Sequence, residues 1–143
     1  MAGLPNHFYV TLFSSSSLKI YTRNTIAAFT VKLTQPIDLG SNDNWEVGVC
    51  EISCPPPNVG TGKPFVVVGD TNVLRTFITP SSHCEYKFTE VYYVPVEQRN
   101  FQDIRIEFLT LYGNRVKFKD STTPSKVVLH FRKNYRWQFG YKI

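Results

Sequence analysis

Residues 29–34 read Phe29-Thr30-Val31-Lys32-Leu33-Thr34. Apolar and polar side chains alternate strictly, as a half-buried β-strand requires, because successive strand side chains point to opposite faces. The same alternation returns in Ile104-Arg105-Ile106-Glu107-Phe108 and in Val127-Val128-Leu129-His130-Phe131-Arg132. Each of these segments has one dry face, Phe29/Val31/Leu33, Ile104/Ile106/Phe108 or Val127/Leu129/Phe131. A helical bundle is excluded, since its apolar residues would recur every three or four positions.

Further strands are expected at His7 to Phe13, Leu18 to Thr22, Trp45 to Ser53, Pro64 to Val68, Val73 to Ile78, Glu85 to Val94, Arg115 to Lys119 and Arg136 to Tyr141. Breakers separate them: the Ser14 to Ser17 run, Gly40-Ser41-Asn42-Asp43-Asn44, Pro55-Pro56-Pro57-Asn58 and Thr79-Pro80-Ser81-Ser82. Gly113-Asn114 between two strand-like runs predicts a tight hairpin turn with positive φ angles. Residues 55–63 read as a surface loop. The expected architecture is all-β, a single-domain antiparallel sandwich over residues 1–143 with about 8 to 10 short strands, jelly-roll-like by preference, with a seven- to nine-stranded sandwich the alternative that periodicity does not separate from it. Residues 133–143 are a candidate terminal arm.

Composition agrees. Eleven Phe, eight Tyr and two Trp favour sheet, and nine Pro with eight Gly favour turns. A 42% hydrophobic, 19% charged chain is too apolar for disorder, and 143 residues suit one domain. No apolar run is long enough to cross a bilayer as a helix, and the start Met1-Ala2-Gly3-Leu4-Pro5 lacks the pattern of a secretion signal. The chain is therefore expected to stay inside the cell that makes it, in the cytoplasm or nucleus, with its three cysteines as thiols.

The net charge of +5 is concentrated at one end. Residues 121–143 carry Lys126, Arg132, Lys133, Arg136 and Lys142 and no acid, whereas the remaining 11 basic residues are balanced by 11 acidic ones. Aromatics are interleaved with these cations: Phe131, Tyr135, Trp137, Phe139 and Tyr141. Three readings follow. Cations with aromatic platforms suit single-stranded nucleic acid; Trp, Tyr and Arg also anchor protein interfaces; and the apolar residues could simply be the inward face of a closing strand. The candidate interaction residues are Tyr92, Tyr93, Arg132, Lys133, Tyr135, Arg136, Trp137 and Lys142.

The sequence offers little that points to catalysis or metal binding. The chain contains no nucleophile-elbow, zinc-protease or P-loop motif. A Ser-His-Asp set would have to be assembled from Ser14 to Ser17, a histidine and Asp38 or Asp43, residue types found in nearly every chain. Cys50, Cys54, His83 and Cys84 are the weak metal candidates, the types that make tetrahedral zinc sites. Their spacing argues against one ion: on an extended strand Cys50 and Cys54 share a face but stand about 13 Å apart. No catalytic role, cofactor or small-molecule substrate is expected.

Two groups of strings carry a family resemblance. Phe8-Tyr9-Val10-Thr11-Leu12, a serine-rich turn, Asn24-Thr25, Phe29-Thr30-Val31-Lys32-Leu33, Pro36-Ile37-Asp38-Leu39 and Trp45-Glu46-Val47-Gly48 with Glu51-Ile52 form the first; Asp103-Ile104-Arg105-Ile106-Glu107-Phe108, a Gly turn, and Val127-Val128-Leu129-His130-Phe131-Arg132 form the second. They resemble the opening and closing strands of proteins encoded by Maverick/Polinton-type elements and related adenovirus-like or virophage-like DNA viruses. Residues 59–100 take no part in it. The resemblance implies a virion structural component, a minor capsid, vertex or penton-like protein, whose partners are copies of itself and other capsid proteins, with weak contact to packaged nucleic acid. Alternatives are a nucleic-acid-binding module using the basic end, or a receptor- or glycan-binding head using exposed Tyr and Trp. The Pro55 to Gly62 loop and Tyr92-Tyr93-Val94-Pro95 are further candidate contact elements.

Overall fold

A computed structural model describes residues 5–56, 64–69, 73–78, 85–120 and 122–134, with 64, 65 and 73–78 described by their backbone alone. These residues form nine strands: β1 (His7–Phe13), β2 (Ala28–Asp38), β3 (Trp45–Ser53), β4 (Pro64–Val68), β5 (Val73–Ile78), β6 (Glu85–Lys87), β7 (Tyr93–Pro95), β8 (Asn100–Thr110) and β9 (Lys126–Lys133). They make two antiparallel sheets packed face to face. One has the order β1-β9-β3-β6, with β7 also on β3; the other has the order β2-β8-β4-β5.

The alternation read from the sequence is what builds the core. Phe29 and Val31 of β2, Ile104, Ile106 and Phe108 of β8, and Val127, Leu129 and Phe131 of β9 all turn inward. They meet Leu12, Trp45, Val47, Val49, Ile52 and Val67. Phe101 of one sheet and Phe131 of the other lie 5.9 Å apart between ring centroids, close enough to pack across the sandwich. Burying side chains of this size stabilises by about 1.5–3 kcal/mol each before the ordering cost is subtracted.

The residues expected as a strand from Leu18 to Thr22 form turns instead. Ile20 and Tyr21 both donate backbone N–H bonds to Ser17 O, and Leu18 and Ile20 remain 45% and 58% exposed. The reason lies in β2, an edge strand whose outward backbone groups need partners. Lys32 N–H donates to Ser17 Oγ at 2.9 Å. Asn24 spans Thr30, accepting its N–H at 3.0 Å and donating to its C=O at 2.8 Å. Thr25 Oγ1 accepts from Ala28 N–H at 3.1 Å. The serine-rich run is thus an edge cover and not a simple surface loop. Ser14 Oγ likewise accepts from the buried Ser125 N–H. Replacing Asn24 with alanine leaves both Thr30 groups uncovered and is expected to lower stability by about 1–2 kcal/mol in urea unfolding.

Three more expectations change. Glu85 to Val94 is not one strand: β6 and β7 pair with opposite ends of β3, and residues 88–92 run between them. Arg115 to Lys119 forms no strand: Arg115 bridges to Leu109, Phe118 is a second isolated bridge residue, and Lys119 N–H donates to the Pro56 carbonyl at 2.8 Å. The turn at Gly113 is present with φ +88°, but Asn114 does not share the positive φ. In the expected 55–63 loop Pro55 is buried, and residues 57–63 lie outside the described residues, as does the expected strand Arg136 to Tyr141.

Candidate functional site

The outer face of the β1-β9-β3 sheet gathers side chains that are far apart in sequence. Register does this: Tyr9 pairs with His130 and His7 with Arg132 across β1 and β9. Gly48 pairs with His130 and Glu46 with Arg132 across β3 and β9. Tyr93 of β7 pairs with Gly48. Residues opposite one another share a face, so His7, Tyr9, His130, Arg132, Glu46 and Tyr93 form one cluster.

Gly48 makes the cluster possible. A Cβ there would stand 2.4 Å from Val91 Cγ1 and 2.6 Å from Tyr92 O, so only glycine lets the chain before β7 cross so closely. Tyr93 then reaches over the vacant position to His130, with 2.6 Å between its hydroxyl and Nδ1. On the other side of that ring, His130 Nε2 is 3.0 Å from His7 Nδ1. Tyr9, 60% exposed, stacks on His130 at 4.4 Å and 15°. The Arg132 guanidinium lies 3.5 Å above the Tyr93 ring and ion-pairs with Glu46 at 2.6 Å.

The surroundings of His130 favour its neutral form. Burial lowers its pKa below the ordinary 6.5, and the charges of His7 and Arg132 push the same way. Burial also raises the Tyr93 hydroxyl, partly offset by Arg132. Each neutral imidazole offers one donor and one acceptor, so the Tyr93–His130–His7 chain of bonds is satisfied when both rings are uncharged. With both cationic, two N–H donors would face each other. The unfolded chain therefore binds the His130 proton more readily, and stability falls as pH drops from about 6.5 toward the lowered folded value. The His130→Gln chain is expected to give a flatter stability profile between pH 7 and pH 5 in urea titrations.

Of the expected interaction residues, Tyr93 and Arg132 sit in this cluster, and Tyr92 beside it is 63% exposed. Lys133 is the last residue of β9, not the start of an arm, and it pairs with Asp43 at 3.2 Å. Asn134 N–H bonds to Asn44 O at 2.7 Å, so that residue too is tied to the sandwich. Tyr135, Arg136, Trp137 and Lys142 lie outside the described residues. Lys126 pairs with Glu51 at 2.7 Å. Lys126, Arg132 and Lys133, three of the five cations of the basic end, are thus matched to acids of β3 and the loop before it. Their charge is spent within the fold, which weakens the phosphate-binding reading.

His83 and Cys84 lie outside the described residues. Cys50 and Cys54 are separated by more than distance: a register shift between Val49 and Glu51 places Cys50 at a bulge. Cys54 is buried in the apolar core, whereas the Cys50 thiol donates to Val128 O at 3.4 Å and burial pushes its pKa up. The same-face expectation fails because the bulge resets the alternation. Among the described residues no three His, Cys, Asp or Glu side chains gather as a metal-ligand set. Ser14 and Ser17 hold backbone N–H groups, Asp38 Oδ1 accepts from Gly40 N–H at 2.9 Å, and Asp43 holds Lys133.

His7, Tyr9, Glu46 and His130 were absent from the expected interaction set. Their signal was present as wet-face residues two apart, His7/Tyr9 and His130/Arg132, but it becomes legible only once β1 is known to pair with β9. Beside the cluster, Asn44, Trp45, Glu46, Pro95, Val96, Arg99 and Asn134 line a half-open hollow of about 240 Å³. No helix among the described residues is long and apolar enough to cross a membrane. Comparison with known proteins gives no match, either to a family model or to a curated protein.

Proposed function

We propose that this chain is a non-enzymatic structural protein of a DNA-virus particle, a minor capsid, vertex or capsid-associated component that acts by self-association and contact with other shell proteins. The observation that carries the reading is nested strand pairing. β1 pairs with β9, β2 with β8, β3 with β6 and β7, and β4 with β5. With β6 and β7 counted as one interrupted strand, this nesting supports reading the sandwich as a long antiparallel ribbon folded over on itself, as in a jelly roll. Jelly rolls recur in viral capsid and lectin domains. Fold alone does not select between them; the resemblance of the opening and closing strands to virion proteins favours the first.

The nucleic-acid alternative loses support from the ion pairs of Lys126, Arg132 and Lys133. Quantitative mass spectrometry of purified particles from a genome carrying this reading frame tests the proposal. The expected result is recovery of the chain in fixed proportion to the major capsid protein; its exclusion from intact particles would contradict it.

A further inference from the structure

The two sheets treat their edges differently. β2 is an edge strand paired only with β8, and Phe108 N–H bonding to Ala27 O at 2.8 Å sets the phase of that ladder. Bonded pairs alternate in an antiparallel ladder, so Ala28, Thr30 and Lys32 turn their backbone groups away from β8. Ser17, Asn24 and Thr25 cover them. β2 also carries Lys32, Pro36 and a register shift, devices that discourage pairing with another chain. β5 carries Arg75, and β6 and β7 have three residues each.

Among the described residues, nothing covers β1 in this way. Lys133 N–H bonds to Asn6 O and Ser14 N–H to Ser125 O, both at 3.0 Å, which fixes the phase at either end. Even-numbered residues therefore bond to β9, and His7, Tyr9, Thr11 and Phe13 face away. Ser16 N–H takes the Phe13 carbonyl at 3.2 Å. The N–H and C=O groups of His7, Tyr9 and Thr11, with the Phe13 N–H, have no partner among the described residues. The strand is seven residues long and contains no Lys, Arg, Asp, Glu, Pro or Gly. A long, uncharged edge with unpaired backbone groups is a template for another strand.

The geometry points to the β1 edge as the surface through which two copies of this chain pair, antiparallel about a two-fold axis at Val10. The inference rests on the reading of the chain as self-associating and names the surface that does it. In this register Tyr9 lies opposite Thr11 of the second copy, His7 opposite Phe13, and Phe8 opposite Leu12. The bonded pairs fall on odd residues of both strands, as the phase demands, and the inward faces match. The half-buried Phe8 and Val10 at the rim of the core would be covered. Neither strand carries Asp, Glu, Lys or Arg, and each copy supplies both the odd-numbered bonding groups and the apolar even-numbered face that the other needs, which is why a second copy fits. A two-fold contact of this kind is self-complementary and closes after two copies.

Sedimentation equilibrium of the full chain tests this with Thr11→Pro and Thr11→Lys. Thr11 is exposed and its N–H faces outward, so proline removes no bond to β9. Two bonds are lost per dimer, and dimerisation is expected to weaken about tenfold or more while circular dichroism and Tm stay close to wild type. Thr11→Lys gives the same result by placing a charge on the edge, and covers the case in which proline perturbs folding. Val10→Cys is expected to form an interchain disulfide on mild oxidation, beyond any seen with wild type, because an unbonded antiparallel pair brings Cα atoms to about 4.5 Å. Variants that dimerise as tightly as wild type would overturn the edge assignment and leave self-association standing. A wild-type chain that stays monomeric at high micromolar concentration would overturn both.

Discussion

Gly48→Ala is expected to lower the stability of this protein by about 2–3 kcal/mol and to dismantle the cluster on the outer sheet face. The added methyl carbon would lie 2.4 Å from Val91 Cγ1 and 2.6 Å from Tyr92 O. A side chain alone could rotate aside; the Tyr92 carbonyl is backbone and can retreat only if the 88–92 crossing lifts away from β3. That movement draws β7 and Tyr93 with it, breaking the 2.6 Å contact to His130 and the stacking of Arg132 on the Tyr93 ring. Urea unfolding would report the loss of stability, and the His130 ring resonances in NMR would report the loss of the tyrosine. Gly48 has no positive φ, so the penalty is one of space and not of backbone conformation.

The largest effect belongs to Phe108→Ala, with an expected cost of about 3–5 kcal/mol. Phe108 is wholly buried, in the middle of its sheet between β2 and β4. Its ring packs 6.4 Å from Phe29 and edge-on at 5.9 Å to Phe118. Removing it opens a cavity that rigid strands on both sides cannot collapse to fill. Half-buried Phe118 is a useful comparison: its truncation should cost less, because its side chain is already partly open to solvent, which can take up the space. Thermal and urea denaturation of the two variants would test the ranking.

The parts of the fold that depend on local alternation were legible in the sequence. Phe29 to Thr34, Ile104 to Phe108 and Val127 to Arg132 read as strands because a period of two can be seen within six residues. What was not legible depends on who pairs with whom. Leu18 to Thr22 has the composition of a strand, yet its place beside the β2 edge makes it a cover. The bulge at Cys50 cannot be seen in Val49-Cys50-Glu51, and it separates two cysteines that spacing alone puts on one face. The candidate site was half legible for the same reason. Tyr93 and Arg132 stood out by residue type, whereas His7 and His130 acquire meaning only through the β1-β9 register, which joins residues 123 positions apart. The basic end illustrates the converse. Its charge was plain in the composition, but the acids that neutralise much of it, Asp43, Glu46 and Glu51, come from the other half of the chain.

The proposal that this sandwich is an assembling shell subunit requires the chain to associate. Analytical ultracentrifugation of the wild-type chain measures that association, alone over a range of concentrations and then mixed with the other shell proteins of the same genome. A discrete dimer that grows with concentration and co-sediments with those proteins is expected. A strict monomer at every concentration, with no co-sedimentation, would contradict it.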